Sequence, residues 1–320
     1  MTRETVFVVG ASGLVGSAAV RALALHGHEV RALVRRPEAV AGEFGPGVAV
    51  VAGDLIDAGA WGASLDGATA VVDATQVRVP GRLTVGIARA AAEDRRRMAM
   101  ALLAQVRKRA PGLRRYIALS GLEDYAPTGD AWFDEKAPKA ATLRGYSHLG
   151  VRARGLLAQA RTEWGLPVVV LRMGLIYGSS GWFPGFVDRI RADRGVLVGS
   201  GSNFSSLVSA PDVGDAIRAA VERAEPGEEY LVTDDEPIRQ REWQGVLASA
   251  LGRPPVRRRV PVWVASLAVG RINAETFSSS RRARNGRAKE RLGLTLRYPT
   301  VREGFPALVA KVAPPAIPSG

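Results

Sequence analysis

Val6-Phe7-Val8-Val9-Gly10-Ala11-Ser12-Gly13-Leu14-Val15-Gly16 is the stretch from which the rest of the chain is read. Four consecutive apolar residues, three of them β-branched, predict a short strand buried on both faces. Glycines at 10, 13 and 16 follow at once, and a helical pattern runs from Leu14 to about His26. In a strand-turn-helix of this kind, Gly10 permits the tight turn and Gly13 lets backbone approach a pyrophosphate. Gly16 lets helix and strand pack closely. Ser12, Leu14 and Val15 complete the turn, and the unpaired N–H groups of the helix start face the phosphates. The spacing is GxxGxxG, one residue longer in its first gap than GxGxxG.

Working outward, short apolar runs alternate with helical patterns, which predicts repeated βαβ units and a parallel sheet. The second strand, 29–34, ends in Arg35-Arg36-Pro37 with no carboxylate nearby. An acid there would bind a ribose 2′-hydroxyl, whereas an arginine accommodates a 2′-phosphate, so the cofactor expected is NADP(H). Asp54 and Leu55 follow the third strand, 48–52, and are placed at the adenine; Ala74, Thr75 and Gln76 follow the fourth, 70–73, near the ribose. A long helix from about 84 to 109 stops at Ala110-Pro111-Gly112. Strands over 115–119 and 167–171 flank a helix over 147–164. The fold expected is α/β: a doubly wound parallel Rossmann sheet with a smaller C-terminal substrate-binding domain. Residues 1–178, joined by 208–235, form the first part; 179–207 and 236–320 form the second. The tail from Ala313-Pro314-Pro315 is expected to be loosely held.

Bulk composition narrows the function. The 320 residues, 47% hydrophobic, suffice for a full core, and the absence of cysteine excludes disulfides, thiolate metal sites and a cysteine nucleophile. His26, His28 and His148 lack a metal-ligand spacing, and the first two are expected to be solvated in a helix-to-strand turn. The formal charge of +13 is almost all arginine and is scattered, without interleaved aromatics, so no nucleic-acid partner is expected. No apolar run reaches the ~18 residues of a spanning helix, and the N-terminus carries no signal pattern. A soluble cytoplasmic protein, monomer or homodimer, acting on a small molecule is the expectation.

With these motifs in order, the chain resembles the extended short-chain dehydrogenase/reductase family, the NAD-dependent epimerases and dehydratases. The resemblance rests on 10–16, Gly53-Asp54-Leu55, Tyr116-Ile-Ala-Leu-Ser120, 171–178, Val208-Ser-Ala-Pro-Asp212-Val213, 285–293 and 297–304. It implies a catalytic Ser or Thr, a Tyr, and a Lys four residues after the Tyr. Tyr146 fits the Tyr; the Ser/Thr position falls on Gly121, with Ser120 one residue earlier; the Lys position is Gly150. A Lys ammonium ~4 Å from a phenol, at an effective dielectric of ~20, contributes roughly 4 kcal/mol toward the phenolate. Without it, Tyr146 is expected to donate a hydrogen bond or proton rather than act as a base. Arg154, Lys136 and Lys139 are conceivable replacements, and His148 points away from the Tyr146 face. Glu123, beside Asp124, sits where the family's dehydratases keep an acid-base carboxyl.

Three activities follow as expectations. The first is NADPH-dependent reduction of a small-molecule carbonyl. The second is a redox-neutral epimerase, dehydratase or isomerase reaction with Glu123 moving the proton. The third is a non-catalytic NADP(H)-binding regulator. Gly201-Ser202-Asn203-Phe204-Ser205-Ser206 lacks the Arg that nucleotide-sugar enzymes of the family bring to a diphosphate. Trp182, Phe183, Phe186 and Phe204 suggest either an apolar substrate pocket or the core of the smaller domain.

Overall fold

A computed structural model of the chain describes residues 3–77, 79 and 81–310; the tail beyond lies outside the described residues. Seven parallel strands form the central sheet: β1 (Thr5–Val9), β2 (Glu29–Val34), β3 (Val48–Ala52), β4 (Ala70–Asp73), β5 (Arg115–Gly121), β6 (Val168–Met173) and β7 (Glu229–Val232). Their order is β7-β6-β5-β4-β1-β2-β3. The chain winds from β1 through β2 to β3, then returns to the other flank of β1 with β4. That reversal opens a crevice past the C-terminal ends of β1 and β4, the place where such sheets bind ligands.

Helices α1 (Leu14–Leu25), α2 (Val85–Arg109), α3 (Ser147–Trp164) and α4 (Ala210–Arg223) cover the two faces. Side chains alternate along β1 and so feed two separate cores. Val6 and Val8 pack with Val20 and Leu23 of α1 and with Val213 and Ile217 of α4. Phe7 and Val9 pack with Leu102 of α2, Leu157 of α3 and Trp61, whose ring stacks on Phe7 at 5.6 Å. A strand buried on both sides has no position for a polar residue, hence the unbroken apolar run. Gly214 lets α4 lie against α1: a Cβ there would stand 2.5 Å from the Ala18 carbonyl oxygen.

The boundaries read from sequence hold for β2, β3 and β4. Strand β5 runs two residues beyond the expected 119, because pairing with β6 continues through Ser120–Arg172 and Gly121–Met173. The returning segment is anchored by one carboxylate. Ser209 caps α4 through Asp212 N–H (3.1 Å), and Asp212 accepts from the Arg297 and Tyr298 amides at 2.5 and 3.3 Å. Two distant motifs, 208–213 and 297–304, are thus one contact.

A third core lies beyond the C-terminal edge of the sheet, built from Tyr177, Phe183, Val187, Trp243, Leu247, Val301 and Phe305. Trp182, Phe183 and Phe186 belong to this packing, with Trp182 against Trp243 at 5.7 Å and Phe277 at 5.6 Å. Phe183 is a core residue, and Trp182 and Phe186 are partly buried against it. Phe204 lies under the Arg239 and Arg282 guanidinium groups. One histidine also departs from expectation. His26 is exposed, but His28 is buried, accepting from the Glu4 amide at 3.1 Å and meeting Glu222 at 3.1 Å. Its ring ties the start of β1 to the end of α4, a long-range role that a turn position does not reveal.

Candidate cofactor and active site

The turn after β1 is built by backbone approach. Gly10 has φ +73°, and a Cβ on it would stand 2.5 Å from the Ala74 carbonyl oxygen. Gly13 N–H donates to Gly10 O at 3.0 Å, and a Cβ on Gly16 would fall 2.1 Å from that same oxygen. Gly13 caps α1 without any side-chain hydrogen bond, and the first turn holds no acidic residue. The first-turn N–H groups are therefore open to an anion, reinforced by the helix dipole. Ser12 and Gly13 are exposed, while Leu14 and Val15 are half-buried at the crevice edge.

Across the crevice, Ala74 N–H donates to Val9 O at 3.1 Å, and Thr75 N–H donates to Asp73 at 3.2 Å. Burial alone would push the Asp73 carboxyl up. Arg95, at 3.1 and 3.2 Å from its two oxygens, instead draws it below the ordinary carboxylate value. The Tyr116 hydroxyl adds a third contact at 3.1 Å. This lock fixes the β4 loop, and the Thr75 hydroxyl is buried beside the Asp73 carboxylate. Gln76 is exposed beside it. Asp54 accepts from Ile56 N–H at 3.0 Å above the buried Leu55. Arg35 and Arg36 are exposed at the end of β2, and neither side chain bonds a described residue. A glycine cradle and open first-turn amides fit a dinucleotide lying across β1 and β4.

The chemical corner is assembled from four separate stretches. Tyr146 stands just before α3, against Leu83, Ala88, Ile272 and Leu149. Its hydroxyl donates to Asn273 Oδ1 at 3.0 Å, and Asn273 Nδ2 donates to Val269 O at 2.9 Å, which orients that amide. Burial, and secondarily the charge of Glu123, push the Tyr146 phenol above its ordinary value. Glu123 sits on a single 3-10 turn after β5, with its side chain folded over Gly121 and against Gly145. A Cβ on Gly145 would meet Glu123 Cγ at 3.3 Å. Desolvation raises the Glu123 pKa above 4.5, although Arg281 and Arg154 pull against it.

Ser120 is turned elsewhere. Its hydroxyl donates to Asp124 at 2.5 Å, and Asp124 also pairs with Arg172 and, at 2.9 Å, with Arg154. Among the described residues, no cation acts on Tyr146 in place of the missing Lys. A Cβ on Gly150 would meet the Arg154 guanidinium at 2.6 Å, but that group is committed to Asp124, and Tyr146 shows no influence from it. Lys139 pairs with Glu229 over the Tyr125 ring. Asn273, Thr276 and Arg281, which complete the corner, carry no signal in the sequence: they share neither spacing nor pattern with Tyr146. Among the described residues no group of three or more His, Asp or Glu could hold a metal ion. None of the described helices is long and apolar enough to cross a membrane.

The chain belongs to the NAD dependent epimerase/dehydratase family, whose pattern it matches over residues 6–233. It is an NAD(P)-dependent enzyme of the short-chain dehydrogenase/reductase type. A Streptomyces 3-diazoavenalumate denitrifying reductase is 31% identical over 317 residues, covering 94% of this chain and 98% of that protein. A ketoreductase of Stigmatella aurantiaca, acting on a farnesylated dihydroquinoline oxide, is 28% identical over 77% of this chain and 73% of its own. Among solved structures, a human epimerase family protein with NADPH superposes with a TM-score of 0.79 at 21% identity, covering 96% of this chain and 100% of that one. The dTDP-glucose 4,6-dehydratase of Streptomyces venezuelae, with NAD, gives 0.77 at 22% identity, with 96% of each chain covered. These last two establish the shared fold.

Proposed function

We propose that the protein reduces a carbonyl group on a small molecule, with NADPH as reductant. The observation that carries this reading is that Glu123 and Tyr146 are neighbouring groups whose protonated forms burial favours, with no ammonium acting on Tyr146 among the described residues. A carbonyl oxygen that gains charge as its carbon is reduced needs a hydrogen-bond donor and a proton, and this corner offers both. An enzyme that must first oxidise a hydroxyl needs a base, which a phenol raised by burial does not provide. When bound, the reduced cofactor supplies a hydride to the carbonyl carbon. Tyr146 then donates a hydrogen bond to the oxygen, and Glu123 gives it a proton; the partly buried carboxylate is reprotonated from solvent. Arg35 and Arg36 support NADPH over NADH, because two unpartnered guanidinium groups at the end of β2 suit a 2′-phosphate.

The test is a panel of ketones and aldehydes with NADPH. One cofactor oxidised per alcohol formed is the expected result. Turnover with no net NADPH loss, and deuterium entering product from solvent, would replace this reading with the redox-neutral one.

A further inference from the structure

The buried guanidinium of Arg281 is the most unusual group in the molecule. Its backbone is pinned on both sides: the amide donates to Phe204 O at 2.9 Å, and the carbonyl accepts from Ser206 Oγ at 3.1 Å. The residue is only 6% exposed. Its one side-chain hydrogen bond runs from Nη1 to the adjacent Ser280 carbonyl at 3.2 Å. Nε and Nη2 are buried and have no partner among the described residues. Those two nitrogens form the side-on edge of the guanidinium, whose parallel N–H bonds match the two oxygens of a carboxylate.

The surroundings do not satisfy this edge. Glu123 is the acid whose charge Arg281 feels, yet no ion pair joins them among the described residues. Desolvation favours the neutral form of Glu123. A second cation, Arg144, faces the same place. The Thr276 hydroxyl, also buried and unpartnered, closes the space beside Gly145. A buried cation with an open fork is costly to keep unless something pairs with it. Here the open fork lies within electrostatic reach of Glu123, which packs with Thr276 against Gly145 beside Tyr146.

We propose that the substrate is a carboxylate, and that Arg281 grips it through Nε and Nη2, with Thr276 beside it, so that the reducible group lies at Tyr146 and Glu123. The proposal rests on the active-site reading above. It concerns binding, so it is tested without turnover.

Acetate and propionate are the probes, since the smallest carboxylates need no match to an unknown scaffold. Thermal unfolding of the NADPH-loaded full chain is measured in each, against acetamide and against chloride at equal ionic strength. Acetate is expected to raise Tm by about 2 °C or more when it saturates the site, with no rise in acetamide or chloride. Arg281→Gln should abolish that difference. Arg281→Lys, which keeps charge but loses the fork, should retain only part of it. Both variants should bind NADPH as the unaltered protein does. Because Arg281 is unpaired, the variants are expected to fold; if the Gln variant does not, Arg281→Met serves in its place. Equal shifts in acetate and acetamide would overturn the proposal, as would a difference that survives Arg281→Gln. A larger, Arg281-dependent shift in inorganic phosphate would replace the carboxylate with a phosphate ligand. Glu123→Gln separates the two readings: it should stop turnover and keep the acetate shift.

Discussion

The glycine turn after β1 and the corner around Tyr146 are made in opposite ways. The turn is contiguous, seven residues from Gly10 to Gly16, and its chemistry is that of backbone amides held by close approach. The corner draws on the end of β5, the start of α3 and the stretch 273–281, and its chemistry is that of side chains tuned by burial. A backbone site tolerates almost no change at its glycines. A side-chain site tolerates replacement of shape but not of protonation.

The largest effect should come from the turn. Gly16→Val forces carbon against the Gly10 carbonyl, where neither side can yield, and should cost on the order of 3 kcal/mol or more. Loss of cofactor binding, with a lowered denaturation midpoint, is the readout; a variant that binds NADPH normally would erase the contrast drawn here. Glu123→Gln comes next. It should lower kcat by about 10²–10⁴-fold. The unaltered enzyme should lose activity as pH rises through the raised Glu123 pKa, above 4.5, and the Gln variant should lack that limb. The sign for stability runs the same way. The folded protein holds the Glu123 proton more tightly than the unfolded chain, so that contribution is full below 4.5 and fades as pH rises through the folded value. Glu123→Gln should therefore be no less stable than the parent at pH 8, measured by urea unfolding.

Tyr146→Phe removes one donor to the developing oxyanion and should lower kcat by about 10²-fold with little change in the NADPH dissociation constant. Full activity in this variant would remove Tyr146 from the chemistry. The smallest effect belongs to the exposed arginines. Arg35→Ala with Arg36→Ala should weaken NADPH by about 10–100-fold and leave NADH unchanged, as measured by fluorescence titration. An equal loss for both cofactors would assign these residues to the surface.

The sheet was legible because each strand buried on both faces must be an apolar run, and the turns after β1 and β3 carry glycine. Gly10, Gly13 and Gly16 announce their role locally, since the contacts they permit are made within the turn itself or with the next strand loop. Tyr146 was singled out, and the Lys position assigned to Gly150, through the family pattern alone. Glu123 was visible as a candidate, but its raised pKa was not, because desolvation is a property of what surrounds a residue. His28 was misjudged for the same reason: its partners, Glu4 and Glu222, are far apart in the chain.

By itself, then, the sequence determined the doubly wound sheet and the tight glycine turn after β1, which follow from local pattern and backbone sterics, and, through the family resemblance, that Gly150 stands where a Lys is expected. Only the tertiary structure decided that Arg154 is committed to Asp124, that Ser120 belongs to the Asp124 ion-pair network, and that the charge of Arg281 reaches Glu123. Charge pairing and desolvation depend on distances between residues that the chain brings together only when folded.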